Sequence, residues 1–252
     1  MDLQLKGKKV LVTGGSKGIG KGIAKAFLEE GAEVAILGRG KEALNQAKKE
    51  MPSLKTIQAD VTLEEDRTRA FNEFLETFSR IDILVNNAGG SSGGKTMETT
   101  IAQFEEAMLL NYFSAVHLSQ LAVTDMKKYK NGAIVNISSI FGRESGGKPT
   151  YNSAKAAMIS TTKSLADEVV KDGIRVNSIA PGSILHPTGN WQKKLDENPE
   201  QINKFVEDQI PAGRFGTVEE VANTVVFLAS EKASWIIGAS INVDGGQSKS
   251  NF

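Results

Sequence analysis

Tyr151 and Lys155 stand four residues apart, so on a helix both side chains leave the same face. A free phenol titrates near ~10 and is a poor acid or base at neutral pH, whereas an ammonium held about 4 to 6 Å away favours the phenolate and lowers that value. The pair reads as a proton carrier, Tyr151, and its tuner, Lys155. Spacing alone is weak evidence, because a tyrosine and a lysine one turn apart also occur on half-buried helix faces. Just upstream, Asn136-Ile137-Ser138-Ser139-Ile140-Phe141-Gly142 offers two hydroxyls that can polarise a carbonyl. Strand alternation sends the two serines to opposite faces, so one of them reaches it and the other is structural.

A second cluster, Thr13-Gly14-Gly15-Ser16-Lys17-Gly18-Ile19-Gly20, follows the apolar run Val10-Leu11-Val12 and opens an amphipathic stretch, Ile19 to Glu30. Glycines in a strand-to-helix turn bring backbone N–H groups and a helix N-terminus against a pyrophosphate, the role expected of Gly14, Ser16, Lys17, Gly18, Ile19 and Gly20. The same residues also suit a tight turn with no ligand. An acid at the end of the next strand would hold an adenosine ribose and repel a 2′-phosphate. The chain has Gly38-Arg39 there, and Arg39 with Lys17 favours NADP(H) over NAD(H); the alternative for both is a solvated surface cation.

Such groups meet only if strand ends bring them together. Short apolar runs at Val10–Val12, Val34–Leu37, Leu54–Ala59, Ile81–Val85, Ala133–Ile137, Ile174–Ile179 and Ala239–Val243 alternate with helical patterns over Glu64–Phe78, Ile101–Lys128, Tyr151–Lys171 and Val218–Leu228. Parallel crossovers need about a dozen residues each, so the pattern predicts an α/β chain. The expected architecture is a single Rossmann-type domain over residues 1–252, a doubly wound parallel seven-stranded sheet with helices on both faces. Gly182 to Phe215 breaks the alternation with Pro187, Pro199 and Pro211 and is expected to act as a substrate lid.

In this order and at these strand ends, the motifs resemble the short-chain dehydrogenase/reductase family over nearly the whole chain. They are the G-x-x-x-G-x-G turn, Asp60-Val61 after the third strand, Asn86-Asn87-Ala88-Gly89 after the fourth, and Asn111 in the next helix. Tyr151-Asn152-Ser153-Ala154-Lys155 then matches YxxxK, and Pro181-Gly182 follows the sixth strand. The resemblance implies a nicotinamide-dependent oxidoreductase in which hydride passes between cofactor and carbonyl carbon while Tyr151 exchanges the proton. It also implies that Lys155 binds the nicotinamide ribose and that Asn111 anchors a water relaying protons towards Lys155. Further cofactor contacts are implied for Asp60 and Val61 at the adenine, for Asn87, Ala88 and Gly89, and for Pro181, Gly182 and Ile184. Asp60 suits a helix cap as well. Thr188 lies further beyond Pro181-Gly182 than the family's usual threonine. Aligning on Gly142 makes Ser139 the preferred catalytic serine, while the commoner spacing to Tyr151 selects Ser138.

The ending Ile241-Asn242-Val243-Asp244-Gly245-Gly246 resembles the 3-oxoacyl-(acyl-carrier-protein) reductase branch, an activity of fatty acid biosynthesis. That implies reduction of a 3-ketoacyl thioester, carried on acyl-carrier protein or CoA, with NADPH; other ketones, alcohols or sugars are the alternative. Lys127, Lys128 and Lys130 are candidate carrier-protein contacts, but Asp172 puts an acid where such reductases often have a base. The family likeness further implies a homotetramer.

Composition excludes several other classes. Thirty basic and 30 acidic residues cancel, leaving no field for nucleic acid or an anionic membrane. No run approaches the ~18 apolar residues of a membrane span, the start is polar, and cysteine is absent, all compatible with a cytoplasmic protein. Two histidines without cysteine argue against a metal site. A serine hydrolase is the different-class alternative, since Gly14-Gly15-Ser16-Lys17-Gly18 and Gly89-Gly90-Ser91-Ser92-Gly93 fit G-x-S-x-G. Its base would have to be His117 or His186, and neither follows a late strand. A non-catalytic cofactor-binding protein would have no need of Asn111, Ser139, Tyr151 and Lys155 together.

Overall fold

The computed structural model describes residues 1–251. Among them run seven strands, β1 (Lys9–Thr13), β2 (Glu33–Gly38), β3 (Lys55–Gln58), β4 (Ile83–Asn86), β5 (Gly132–Ile137), β6 (Ile174–Pro181) and β7 (Ser240–Val243). They pair in parallel in the order β3-β2-β1-β4-β5-β6-β7. The connecting helices are α1 (Gly18–Glu29), α2 (Lys41–Glu50), α3 (Glu64–Phe78), α4 (Ile101–Met108), α5 (Ser114–Tyr129), α6 (Pro149–Val169), α7 (Asn190–Glu197), α8 (Pro199–Gln209) and α9 (Val218–Ala229). This is the doubly wound α/β sheet that the alternation predicts.

Two cores follow from the pleat. Along β1, Val10 and Val12 face one side and pack with Ile23 and Phe27 of α1 and with Val221 and Val225 of α9. Leu11 faces the other side, among Phe71 and Phe74 of α3 and Leu118 and Met126 of α5. Because helices cover both faces, the central strands are apolar without alternation, and β5 is buried throughout. The chain leaves β1 towards β3 and returns to β4 beside β1, so a crevice opens beyond the carboxyl ends of these two neighbours.

Three helical regions differ from expectation. α2 escaped notice because only Leu44 and Ala47 of its residues are buried, too thin a stripe to read as periodic. The predicted helix Ile101–Lys128 is broken by a π-helical turn, Leu109–Phe113, between α4 and α5. The excursion between residues 182 and 215 contains α7 and α8: Pro199 starts α8 at its first turn, where its missing N–H costs nothing, and the Asn198 side chain accepts from the Gln201 N–H at 3.2 Å. Among the described residues no helix is long and apolar enough to cross a membrane.

Candidate active site

α6 begins at Pro149 and carries Tyr151 and Lys155 on the face turned towards β5 and the turn after it. Lys155 is only 2% exposed, its Nζ donates to the Ile137 carbonyl at 2.7 Å, and it lies 5.4 Å from the centre of the Tyr151 ring. The Tyr151 phenol is hydrogen-bonded to the Ser139 side chain. Ser138 turns away and donates to the Lys155 carbonyl at 3.1 Å, tying β5 to α6. Of the two serines, then, Ser139 meets the tyrosine and Ser138 is a strut, as strand alternation requires.

The electrostatics run opposite to the expected tuning. Burial pushes the Tyr151 phenol up to about 12, with the Ser139 hydrogen bond acting the other way, and burial pushes Lys155 down to about 7. Desolvation disfavours each charged form, and it is the largest cause of both shifts. At neutral pH Tyr151 is therefore a protonated phenol.

Asn111 sits in the π-helical turn and is fully buried. Its side chain donates to the carbonyls of Gly90 (3.0 Å) and Ala107 (2.9 Å) and accepts from the Gly90 N–H (2.9 Å). The widened turn thus locks Asn111 onto the segment after β4. A Cβ on Gly89 would stand 2.7 Å from Asn111 Oδ1 and 3.3 Å from Lys155 Nζ, so Asn111 and Lys155 converge on Gly89.

The glycine turn forms the second wall. Gly14 has φ 64° and Gly18 φ 52°, values that favour glycine. A Cβ on Gly20 would lie 2.4 Å from both the Gly14 carbonyl oxygen and Asn87 Nδ2, which keeps the turn bare of side chains. Lys17 precedes α1 without capping it, and the first-turn N–H groups of a helix have no partner within it. Bare backbone at a helix N-terminus fits a dinucleotide pyrophosphate. Asn87 binds this turn to β4, donating to the carbonyls of Thr13 (2.9 Å) and Gly14 (3.2 Å).

The sequence matches the family described as Enoyl-(Acyl carrier protein) reductase over residues 14–248. It is 37% identical to a 3-oxoacyl-(acyl-carrier-protein) reductase of Aquifex aeolicus, covering 98% of this chain and 99% of that protein. The chain belongs to the short-chain dehydrogenase/reductase family. An uncharacterized oxidoreductase of Thermotoga maritima is 39% identical, over 97% of this chain and 98% of its own. L-sorbose reductase from Gluconobacter frateurii, solved with NADPH and L-sorbose, superposes with a TM-score of 0.93 at 34% identity, over 99% of this chain and 100% of that one. As a short-chain dehydrogenase/reductase, this protein is an oxidoreductase acting on CH–OH groups and takes a nicotinamide cofactor.

At the adenosine end of the predicted cofactor cleft, Arg39 is 68% exposed and 3.6 Å from Asp60. Asp60 does not cap α3, which starts at Glu64; it accepts from the N–H (2.9 Å) and hydroxyl (2.7 Å) of Thr62 and closes the turn before that helix. The side chain of Val61 is buried in the core and leaves only backbone to a ligand. Ser16 lies beside Gly38, and Lys17 is exposed. Past β6, the Gly182 N–H donates to the Val243 carbonyl at 3.1 Å, and Ile184 is buried and bridged to Gly216. Pro181, Gly182 and Ile184 thereby anchor the start of the excursion to β7 and to the segment before α9. Thr188 meets His186 Nδ1 at 3.3 Å.

Sequence reasoning missed Thr13 as a positioning residue. Its hydroxyl accepts from the N–H groups of Asn87 and Ala88 at 2.9 Å each and so fixes the segment after β4. A polar residue ending an apolar strand was the available signal. Deeper down, Asn86 donates to Asn136 (2.8 Å) and Ser119 (3.0 Å), and Asn136 donates to Thr162 (2.9 Å), joining β4, β5, α5 and α6. Asn86 is thus buried away from the cleft. The hydrolase alternative fails on geometry as well as on family. His117 Nδ1 accepts from Arg67 Nε at 3.0 Å, and no hydrogen bond among the described residues joins Ser16 to either histidine.

Proposed function

We propose that this protein reduces a ketone to a secondary alcohol with NADPH, the first substrate class being a 3-oxoacyl thioester. The chain of contacts from Ser139 to the Tyr151 phenol, from the Tyr151 ring to Lys155, and from Lys155 and Asn111 to Gly89 carries the reading. When bound, the nicotinamide supplies the hydride. Ser139 and Tyr151 hydrogen-bond the carbonyl oxygen, and Tyr151, protonated at neutral pH, gives its proton to the nascent alkoxide. Lys155 orients the nicotinamide ribose and serves proton return to the phenol, and Asn111 positions a water on that route. Gly14, Ser16, Lys17, Gly18, Ile19 and Gly20 cradle the diphosphate, with Asn87, Ala88, Gly89, Pro181, Gly182 and Ile184 flanking the nicotinamide half. The positive end of β2, Arg39, together with Lys17, supports NADP(H) over NAD(H). Asp60 and Val61 border the adenine, the segment 182–215 covers the substrate, and the assembly is a homotetramer.

One observation favours a second substrate class. Lys127 is paired with Asp172 at 3.0 Å and Lys128 with Asp125 at 3.0 Å, so much of the basic charge available to an acidic carrier protein is already matched. A free polyhydroxy ketone, like the L-sorbose bound by the structural relative, needs no such patch. A screen that follows NADPH and NADH absorbance with 3-oxoacyl thioesters and with ketoses separates the two. Tyr151→Phe is expected to lower kcat by roughly 10²- to 10⁴-fold on whichever substrate is used. Unchanged turnover in that variant would sink the mechanism.

A further inference from the structure

Gly18, the first residue of α1, is covered by a side chain from far along the chain. A Cβ on Gly18 would stand 2.7, 3.0 and 3.1 Å from Cε1, Nε2 and Nδ1 of His186, so the imidazole packs directly on the phosphate turn. Its position is held locally. The Gly189 N–H donates to the His186 carbonyl at 2.9 Å, a Cβ on Gly189 would come within 2.8 Å of Nε2, and the Thr188 hydroxyl sits 3.3 Å from Nδ1. Two glycines therefore make room for one half-buried ring. With Nδ1 taken by Thr188, Nε2 is the ring nitrogen that has no hydrogen-bond partner among the described residues.

Burial lowers the pKa of His186, so at neutral pH the ring is neutral and carries one N–H. The Thr188 hydroxyl can donate to Nδ1 or accept from it, and in the arrangement where it donates the ring hydrogen stands on Nε2. We propose that His186 is a cofactor-binding residue whose Nε2–H donates to a diphosphate oxygen of the dinucleotide at the α1 N-terminus. The excursion between β6 and α9 is then tied to the filled phosphate turn, and cofactor binding organises the segment that covers the substrate. This rests on the nicotinamide-dinucleotide reading of the glycine turn. It does not depend on the choice between NADPH and NADH, because both carry the diphosphate.

The test is the dissociation constant of NADPH and of NADH, read by nicotinamide fluorescence without substrate, for the unaltered protein, His186→Ala and His186→Gln. A hydrogen bond to a charged group corresponds to roughly ten- to a hundredfold in affinity. His186→Ala should weaken the preferred dinucleotide by that factor, and His186→Gln, which keeps an N–H donor, should recover most of it. Both variants should melt like the unaltered protein in the absence of cofactor. Unchanged affinity in His186→Ala, or His186→Gln as weak as His186→Ala, would reduce the ring to packing and overturn the proposal. Failure of the unaltered protein to bind either dinucleotide would instead overturn the cofactor reading beneath it.

Discussion

Lys155 is a lysine taken almost wholly out of water, with the Ile137 carbonyl as its hydrogen-bond partner. Burial brings it from 10.5 down to about 7. Between those values the unfolded chain holds a proton that the folded protein has released, so stability rises with pH across the window and the penalty is fully present below it. Tyr151, raised from 10.0 to about 12, holds its proton in both states below pH ~10 and acts only above that. Denaturant midpoints at pH 7 and pH 9 should therefore show the unaltered protein gaining stability relative to Lys155→Met. A pH-independent difference would contradict the depressed lysine. The pairing of Tyr151 with Lys155 was legible because four-residue spacing on a helix is a matter of covalent geometry. The sign of the tyrosine's shift was not, since burial is a property of the packed chain and not of residue spacing along a helix.

α1 shows how an element positions ligand-binding backbone. Its first turn approaches the Gly14 carbonyl and the Asn87 side chain so closely that Gly20 has no room for a side chain. Gly20→Ala should cost about 1–3 kcal/mol through overpacking and should weaken dinucleotide binding in the same preparation. Melting temperature and a fluorescence titration read the two effects. Gly40→Ala is the control: its Cβ would meet nothing nearer than Ala43 Cβ at 3.9 Å, and it should melt and bind like the unaltered protein. The strands and most helices were legible because apolar period and turn glycines are local. α7 and α8 were hidden by Pro199, which reads as a breaker yet begins α8, and by an apolar side that becomes visible only when Trp191 stacks on Phe205 at 4.6 Å. The π-helical turn at Asn111 left no mark in the periodicity. Its reward is a tertiary one, the grip of Asn111 on Gly90.

Across the whole molecule, the loop after Ser139 is fastened to the far end of the chain. Arg143 donates to the Ser240 carbonyl at 2.7 Å, and one carboxylate oxygen of Glu144 accepts from Ser248 Oγ (3.0 Å), the Lys249 N–H (2.7 Å) and the Ser250 N–H (3.0 Å). Glu144→Ala should free the carboxyl-terminal residues for carboxypeptidase trimming, read by mass spectrometry, with little change in melting temperature. Trimming at the unaltered rate would show that the clasp does not hold the tail. By itself the sequence determined the sheet's parallel winding, the order of the motifs at its strand ends and the chemical class they support, because each depends on short-range spacing and on apolar patterns. Only the tertiary structure decided that Ser139 rather than Ser138 faces the phenol, that Tyr151 is held protonated, and that His186 lies on the glycine turn. Those outcomes depend on which segments distant in sequence exclude water from a group or come within hydrogen-bonding reach of it.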